Sequence, residues 1–278
     1  SIASEPQYEV RHFDTAAAAL RTIIQMKQPE LIGFGEIHQS LATQHTVSAL
    51  KRFSDTMMPA IADSMSDLVV ETWQPVGCGE VEKKVVAEVK EVIARPKTTE
   101  NEVVTMIKKA KAMGVQPHIL KVACDDYEAL FANDAGTMDA YLMLKLIARL
   151  LKEKSQEAFS FRAKQTQGKS QKTVKKKAVA IYGGAIHNDP YPETGWEEVV
   201  FGPELLATAK GKYVAIDLYV PEYIEADAMT KEEEWYPIYR QHVSEDKVTL
   251  IKINTHSYHM ILKRGVAIVK GLKPVTKP

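Results

Sequence analysis

The stretch from Leu31 to His38 reads L-I-G-F-G-E-I-H. Its first half is a short apolar run, the pattern of a strand buried on both faces. Gly35 ends the run, and Glu36 and His38 follow just past it. A second stretch, Val179 to His187, reads V-A-I-Y-G-G-A-I-H and repeats the arrangement. Aligned on their histidines, both have an apolar strand, a glycine three residues before the histidine and an isoleucine directly before it. Two such strand-to-loop junctions in one chain point to a shared site.

Working outward, short apolar runs alternate with helical periodicity. A helix over 15–27, with Asp14 as its cap, precedes strand one at about 30–35. Helical segments at 43–54 and 58–65 lead to a second strand, Asp67-Leu-Val-Val-Glu-Thr-Trp73, which delivers Glu71 at its end. Helices over 80–94 and 99–113 follow, the latter stopped by Gly114. A third strand spans 115–123, and the longest helix spans 138–157. Residues 162–177 carry Arg162, Lys164, Lys169, Lys172, Lys175, Lys176 and Lys177 and no acid, so they read as an exposed linker or loop. Strand four (177–182) delivers His187, and strand five covers 212–220. The acidic stretch 222–234 reads as lying outside the core. Strand six covers 247–253, and a hairpin over 259–270, turned at Lys263-Arg264-Gly265, closes the sheet edge.

This order predicts an α/β fold: a central mixed, largely parallel sheet flanked by helices, with a helical and basic insertion. The chain reads as a single α/β domain over 1–278, with 135–177 as a helical insertion and basic loop within it.

Its 36 basic and 36 acidic residues balance, so charge gives no reason to expect nucleic-acid binding. No apolar run reaches the length needed to cross a bilayer, so no transmembrane segment is expected. Ser1–Tyr8 has no apolar core and no initiator methionine. That fits a processed chain whose export signal is gone, or a trimmed recombinant product. Cys78 and Cys124 follow predicted strands and can meet at one sheet edge; one bridge and two free thiols both fit.

In an open α/β sheet, ligands sit beyond the carboxyl ends of the strands. The candidates there are Glu36 and His38 from strand one, Glu71 from strand two, Asp125 and Asp126 from strand three, and His187 from strand four. Imidazole exchanges protons near neutral pH, and a neighbouring carboxylate fixes its tautomer. Two histidines with carboxylates also form a ligand set for a divalent metal. Each candidate has a structural alternative: Glu36 as an acceptor of backbone N–H groups, Asp125 and Asp126 as helix caps, and the histidines as loop caps. Tyr191 and Trp196 flank the His187 loop and can line a pocket or simply pack. At most one of His256 and His259 is expected to reach the site, since a three-residue spacing in a strand points them to opposite sides. His12, His45, His118 and His242 read as structural or surface residues. Gly168-Lys169-Ser170 lacks the preceding glycine and strand of a phosphate-binding loop, and Gly33-Phe-Gly35 lacks the third glycine of a dinucleotide fingerprint.

Gly35-Glu36-Ile37-His38, Val70-Glu71 and Gly184-Ala185-Ile186-His187 together resemble the haem-binding-uptake/Tiki superfamily. This groups haem-binding ChaN-like lipoproteins, erythromycin-esterase-like enzymes and Tiki/TraB-type proteins. The esterase-like branch implies His38 as a general base toward water, supported by Glu36, Glu71 and His187. The Tiki-like branch implies the same four residues as ligands of a divalent metal in a peptidase. The ChaN-like branch implies haem binding at the cell envelope and dimerisation around it, with Tyr191 or His259, outside the core motif, as the candidate haem ligand.

The leading expectation is therefore a hydrolase of an ester or amide bond, acting on a small molecule or peptide, with Glu36, His38, Glu71 and His187 as catalytic residues. Neither Ser40 nor Cys78 has the setting of a nucleophile. The alternatives are a haem- or iron-binding envelope protein without catalysis, and a non-catalytic interaction protein. The resemblance implies an exported, periplasmic or envelope-associated monomer or homodimer.

Overall fold

The computed structural model describes residues 8–93, 96, 98–132, 136–166 and 177–265. Its strands are β1 Glu9–Phe13, β2 Leu31–Glu36, β3 Met65–Trp73, β4 Gln116–Leu120, β5 Ala178–Gly184, β6 Tyr213–Tyr219, β7 Val248–Lys252 and β8 Ser257–Ile261. The helices are α1 Ala16–Lys27, α2 Ala49–Arg52, α3 Met58–Ile61, α4 Glu80–Ile93, α5 Thr98–Ala112, α6 Cys124–Ala129, α7 Ala140–Thr166, α8 Gly202–Thr208, α9 Pro221–Ala226 and α10 Tyr236–His242.

One sheet holds the strands in the order β1-β7-β8-β6-β2-β5-β3-β4. All neighbours from β8 across to β4 pair in parallel. Only β7, among the described strands, runs against the rest, pairing antiparallel with both β8 and β1. The sheet is thus mixed and largely parallel, as the sequence predicts, and the basic helix α7 packs on it. The apolar runs of β2 and β5 are central, which is why every residue in both is buried.

The period-two alternation of the strands builds two cores. On one face Ile32, Phe34, Leu68, Val70, Tyr182 and Ile216 meet Leu20 and Ile23 of α1 and Met106 and Ala110 of α5. On the other, Leu31, Val69, Val179, Ile181 and Ala215 meet Leu146, Ile147 and Leu151 of α7 and Leu205 of α8. Full burial of one such Leu or Ile side chain contributes roughly 1.5–3 kcal/mol.

Several local readings are corrected. Thr15, not Asp14, caps α1: its side chain accepts from the Ala18 N–H, while Asp14 pairs with Lys247. The helix expected over 43–54 is instead a short turn at Leu41–Thr43 followed by α2 and a π-turn at Phe53–Met57. Pro59 lies just beyond that turn and has no N–H to continue regular helical bonding. The segment 162–177 begins as helix: α7 runs on to Thr166, and Arg162 reaches Asp67. Residues 167–176, the rest of that expected loop, lie outside the described residues. The acidic stretch is not peripheral throughout, because Tyr223 and Ile224 are buried. The hairpin is formed by β7 and β8, turning at 253–256, and β8 is interior to the sheet. Its expected second arm, 266–270, lies outside the described residues. Edge strand β1 was missed because Glu-Val-Arg-His-Phe is mostly exposed and lacks an apolar run.

Candidate functional site

Parallel pairing aligns the ends of β2, β5 and β3, so their carboxyl ends open at one pole of the sheet. In register, Phe34 lies opposite Tyr182, and Glu36 opposite Gly184. Glu36 continues the buried row of Ile32 and Phe34 on one face. Glu71 continues the row of Val69 on the other. His38, just past β2, lies between the two carboxylates. Its Nδ1 is 3.0 Å from Glu36 Oε1, and its Nε2 is 3.9 Å from Glu71 Oε1.

Each carboxylate is itself held. The Tyr182 hydroxyl donates to Glu36 Oε2 at 2.7 Å. The Gly184 N–H donates to Glu71 Oε2 at 2.5 Å. Glu36 is 6 % exposed, so an ionised carboxylate there depends on such donors. His187 is buried and its Nδ1 lies 2.6 Å from the Val199 carbonyl oxygen. A carbonyl only accepts, so Nδ1 carries the proton and, in the neutral ring, Nε2 holds the lone pair.

Two glycines make the convergence sterically feasible. A Cβ on Gly183 would stand 2.6 Å from Glu71 Oε2. One on Gly184 would stand 3.2 Å from His38 Nε2, 3.5 Å from Glu71 Oε2 and 3.7 Å from His187 Cδ2. The space of the missing side chain at Gly184 is therefore where His38, Glu71 and His187 come together.

The loops around the site are locally fixed. Buried Gln39 donates through Nε2 to the carbonyls of Thr43 and Thr46, at 3.2 and 2.7 Å, shaping the turn after His38. Glu82 accepts the backbone N–H groups of Val76, Gly77 and Cys78, at 2.7, 3.0 and 3.1 Å. Those amides, Val76 first, hold its carboxyl below the usual range. A disulfide joins Cys78 to Cys124, tying the loop after β3 to the start of α6.

The structure thus brings Glu36, His38, Glu71 and His187 together and leaves the other candidates elsewhere. Asp126 caps α6, accepting from the Ala123 N–H, and pairs with Arg149. Asp125 lies in the first turn of that helix. The Tyr191 hydroxyl and His256 Nδ1 are 2.7 Å apart. His259 is buried with Nε2 3.5 Å from Asp217 Oδ2, its ring against Tyr219 and Trp235. Tyr191 is thus engaged with His256, and His259 with Asp217, Tyr219 and Trp235. Trp196 is exposed.

Sequence reading missed Tyr182 and a network behind His187. Asn188 donates to the Gly33 carbonyl at 3.0 Å and to Asp217 Oδ1 at 2.9 Å, and the Tyr213 hydroxyl donates to Asn188. The position of Asn188 directly after His187 was the available signal. Tyr182 read only as core, because its link to Glu36 depends on strand register.

The four residues do not fit a divalent metal as arranged. Both Glu36 oxygens are engaged by His38 and Tyr182, and one oxygen of Glu71 by Gly184. Among the described residues, no group of three or more His, Cys, Asp and Glu side chains forms a metal site. No helix among them is long and apolar enough to cross a membrane.

By sequence, no family model and no curated protein matches the chain. By structure it is similar to the type III effector HopBA1, at 12 % identity and a TM-score of 0.43, over 94 % of this chain and 100 % of that one. It is also similar to ChaN of Campylobacter jejuni, solved with cofacial haem, at 11 % identity and a TM-score of 0.37, over 89 % of this chain and 98 % of that one. A Bacillus cereus protein matches at 11 % identity and a TM-score of 0.35, over 91 % of this chain and 95 % of that one. Likeness at this level is broad and concerns the fold; it assigns neither a superfamily nor an activity.

Proposed function

We propose that the protein hydrolyses an ester or amide bond, with water activated by His38. The observation that carries this reading is the placement of His38 between two carboxylates at the carboxyl pole of the parallel strands. With Nδ1 donating to Glu36, Nε2 holds the lone pair and is the general base. Glu71 Oε1, 3.9 Å from Nε2, leaves room for a water within reach of both groups. Nε2 takes a proton from that water as its oxygen bonds to the acyl carbon. The imidazolium then returns the proton to the departing alkoxide or amine. Glu36, steadied by Tyr182, offsets the charge on His38 during the step. His187 acts through Nε2; when its ring is protonated, that nitrogen is the donor toward the developing oxyanion.

The Cys78–Cys124 disulfide supports an oxidising location, so the reading places the protein outside the reducing cytosol.

The test is a panel of chromogenic esters and anilides assayed with wild type, His38→Ala and Glu36→Gln. The expected result is hydrolysis of at least one substrate class. Loss of the base or its orienting partner should lower kcat by about 10²–10⁴-fold, with the circular dichroism spectrum retained. Hydrolysis by His38→Ala at the wild-type rate would overturn the assignment.

A further inference from the structure

Two glycines of β2, Gly33 and Gly35, take no part in the chemistry at His38. They lie on one face of the strand, and each makes room for a polar side chain. A Cβ on Gly33 would collide with Asn188 Oδ1, and one on Gly35 with Asp217 Oδ1. Asn188 and Asp217 thus meet over the central strand. There Asn188 Nδ2 donates to Asp217 Oδ1 at 2.9 Å and to the Gly33 carbonyl at 3.0 Å. The other oxygen of Asp217 lies 3.5 Å from His259 Nε2. Asn188 is 1 % exposed, so both hydrogens of its side-chain amide need acceptors. Among the described residues those acceptors are Gly33 and Asp217. Removing the Asp217 carboxylate leaves one buried N–H without a partner, and the amide, with the backbone that carries it, moves to regain one.

That backbone is the turn of His187. Ala185–His187 form a single 3-10 turn, closed by a 3.1 Å bond from the Asn188 N–H to the Ala185 carbonyl. One end of the turn is continuous with β5. The other is fastened by Asn188 to Gly33 of β2 and to Asp217 and Tyr213 of β6. The His187 ring reaches the Val199 carbonyl through Nδ1, and where the turn holds the His187 backbone decides whether that bond can form. Resting on the hydrolase reading, we infer that Asp217 is a positioning residue: through Asn188 it fixes the turn that aims His187 Nε2 at the reacting group. Asp217 acts through His187, so its effect falls on kcat and not on substrate binding.

The test compares Asp217→Ala, which removes the acceptor, with Asp217→Asn, which keeps an oxygen for Asn188. Asp67→Asn, near the start of β3, controls for lost stability alone. One readout needs no turnover: the exchange rate of the His187 Nδ1 proton, followed by NMR of protein labelled in its imidazole nitrogens and assigned by its absence in His187→Gln. Asp217→Ala should speed that exchange at least about tenfold. It should also lower kcat on the best chromogenic ester at least about tenfold, with KM within about twofold of wild type. Asp217→Asn should stay within about threefold of wild type on both readouts, and Asp67→Asn should move neither. Asn188→Ala breaks the same bond from its other side; it should match Asp217→Ala, and the double variant should fall no further. Where wild type hydrolyses an ester, an unchanged kcat in Asp217→Ala and Asn188→Ala, or losses as large in Asp217→Asn or Asp67→Asn, overturns this inference and leaves the hydrolase reading standing. Faster exchange in Asp217→Ala with no ester or anilide hydrolysed by wild type supports the hold of Asp217 on His187 and overturns the hydrolase reading. Absence of both overturns both.

Discussion

A methyl group at Gly184 would enter the space between His38, Glu71 and His187, 3.2 Å from His38 Nε2. The backbone there has φ −66° and ψ 138°, which alanine adopts without strain. Gly184→Ala should therefore fold with a thermal midpoint within about 2 °C of wild type, while hydrolysis falls by at least about tenfold through displacement of His38. Melting and kinetics on the same preparation check this; full activity in the variant would remove Gly184 from the site. A different outcome is expected at Tyr182, whose hydroxyl donates to Glu36. Tyr182→Phe keeps the buried ring against Phe53 but leaves one Glu36 oxygen without that donor. Its expected cost is about 1–3 kcal/mol in folding stability, read by urea denaturation, together with a lower kcat.

Strand β3 supplies Glu71 and is secured near both ends. Near its start, Asp67 is buried and accepts from His118 Nε2 at 2.9 Å and from Arg162 Nε at 2.6 Å. Burial alone raises the Asp67 carboxyl, but hydrogen bonds from His118, Arg162 and Ser66 outweigh it and bring it down to about 2. The folded value lies below the ordinary 3.8, so the stabilisation is present above pH 4 and is lost as pH falls through about 2. Its size is about 2 kcal/mol. Urea midpoints of wild type and Asp67→Asn should differ by a constant amount from neutral pH to about pH 5 and converge in acid; a gap that widens on acidification would contradict the assignment. Past the other end of β3, the disulfide closes a loop of sequence separation 46. Cys78→Ser/Cys124→Ser should lose about 2–4 kcal/mol of stability. Its hydrolysis should fall further than that loss alone explains, since the loop carrying Val76 follows Glu71 directly.

For the whole molecule the parallel sheet matters most, because it gathers residues from three separate parts of the chain at one pole. The disulfide ties that architecture to its surroundings. Protein produced in an oxidising compartment should show no reactive thiol in the folded state and should melt higher than the same chain purified under reductant. Equal melting of the two forms would show that the bridge does not support the pole.

From the amino-acid sequence alone one could read the strands β2, β3 and β5 and the candidate residues at their ends. Their apolar runs are intrinsic to strands buried on both faces, and Glu36, His38, Glu71 and His187 all follow such runs. The sequence also showed the balanced charge and the glycines before each histidine. It could not show that Asp67 and Arg162 pair across a sequence separation of 95, that Cys78 and Cys124 are joined, or that β8 is an interior strand. Nor could it show which donors hold each carboxylate. Tyr182 meets Glu36 only because β2 and β5 pair in one register, and a slip by one residue would turn each side chain to the opposite face. Local pattern records which residues lie at the ends of strands. Distances between those ends come from long-range pairing, which no short window of sequence contains.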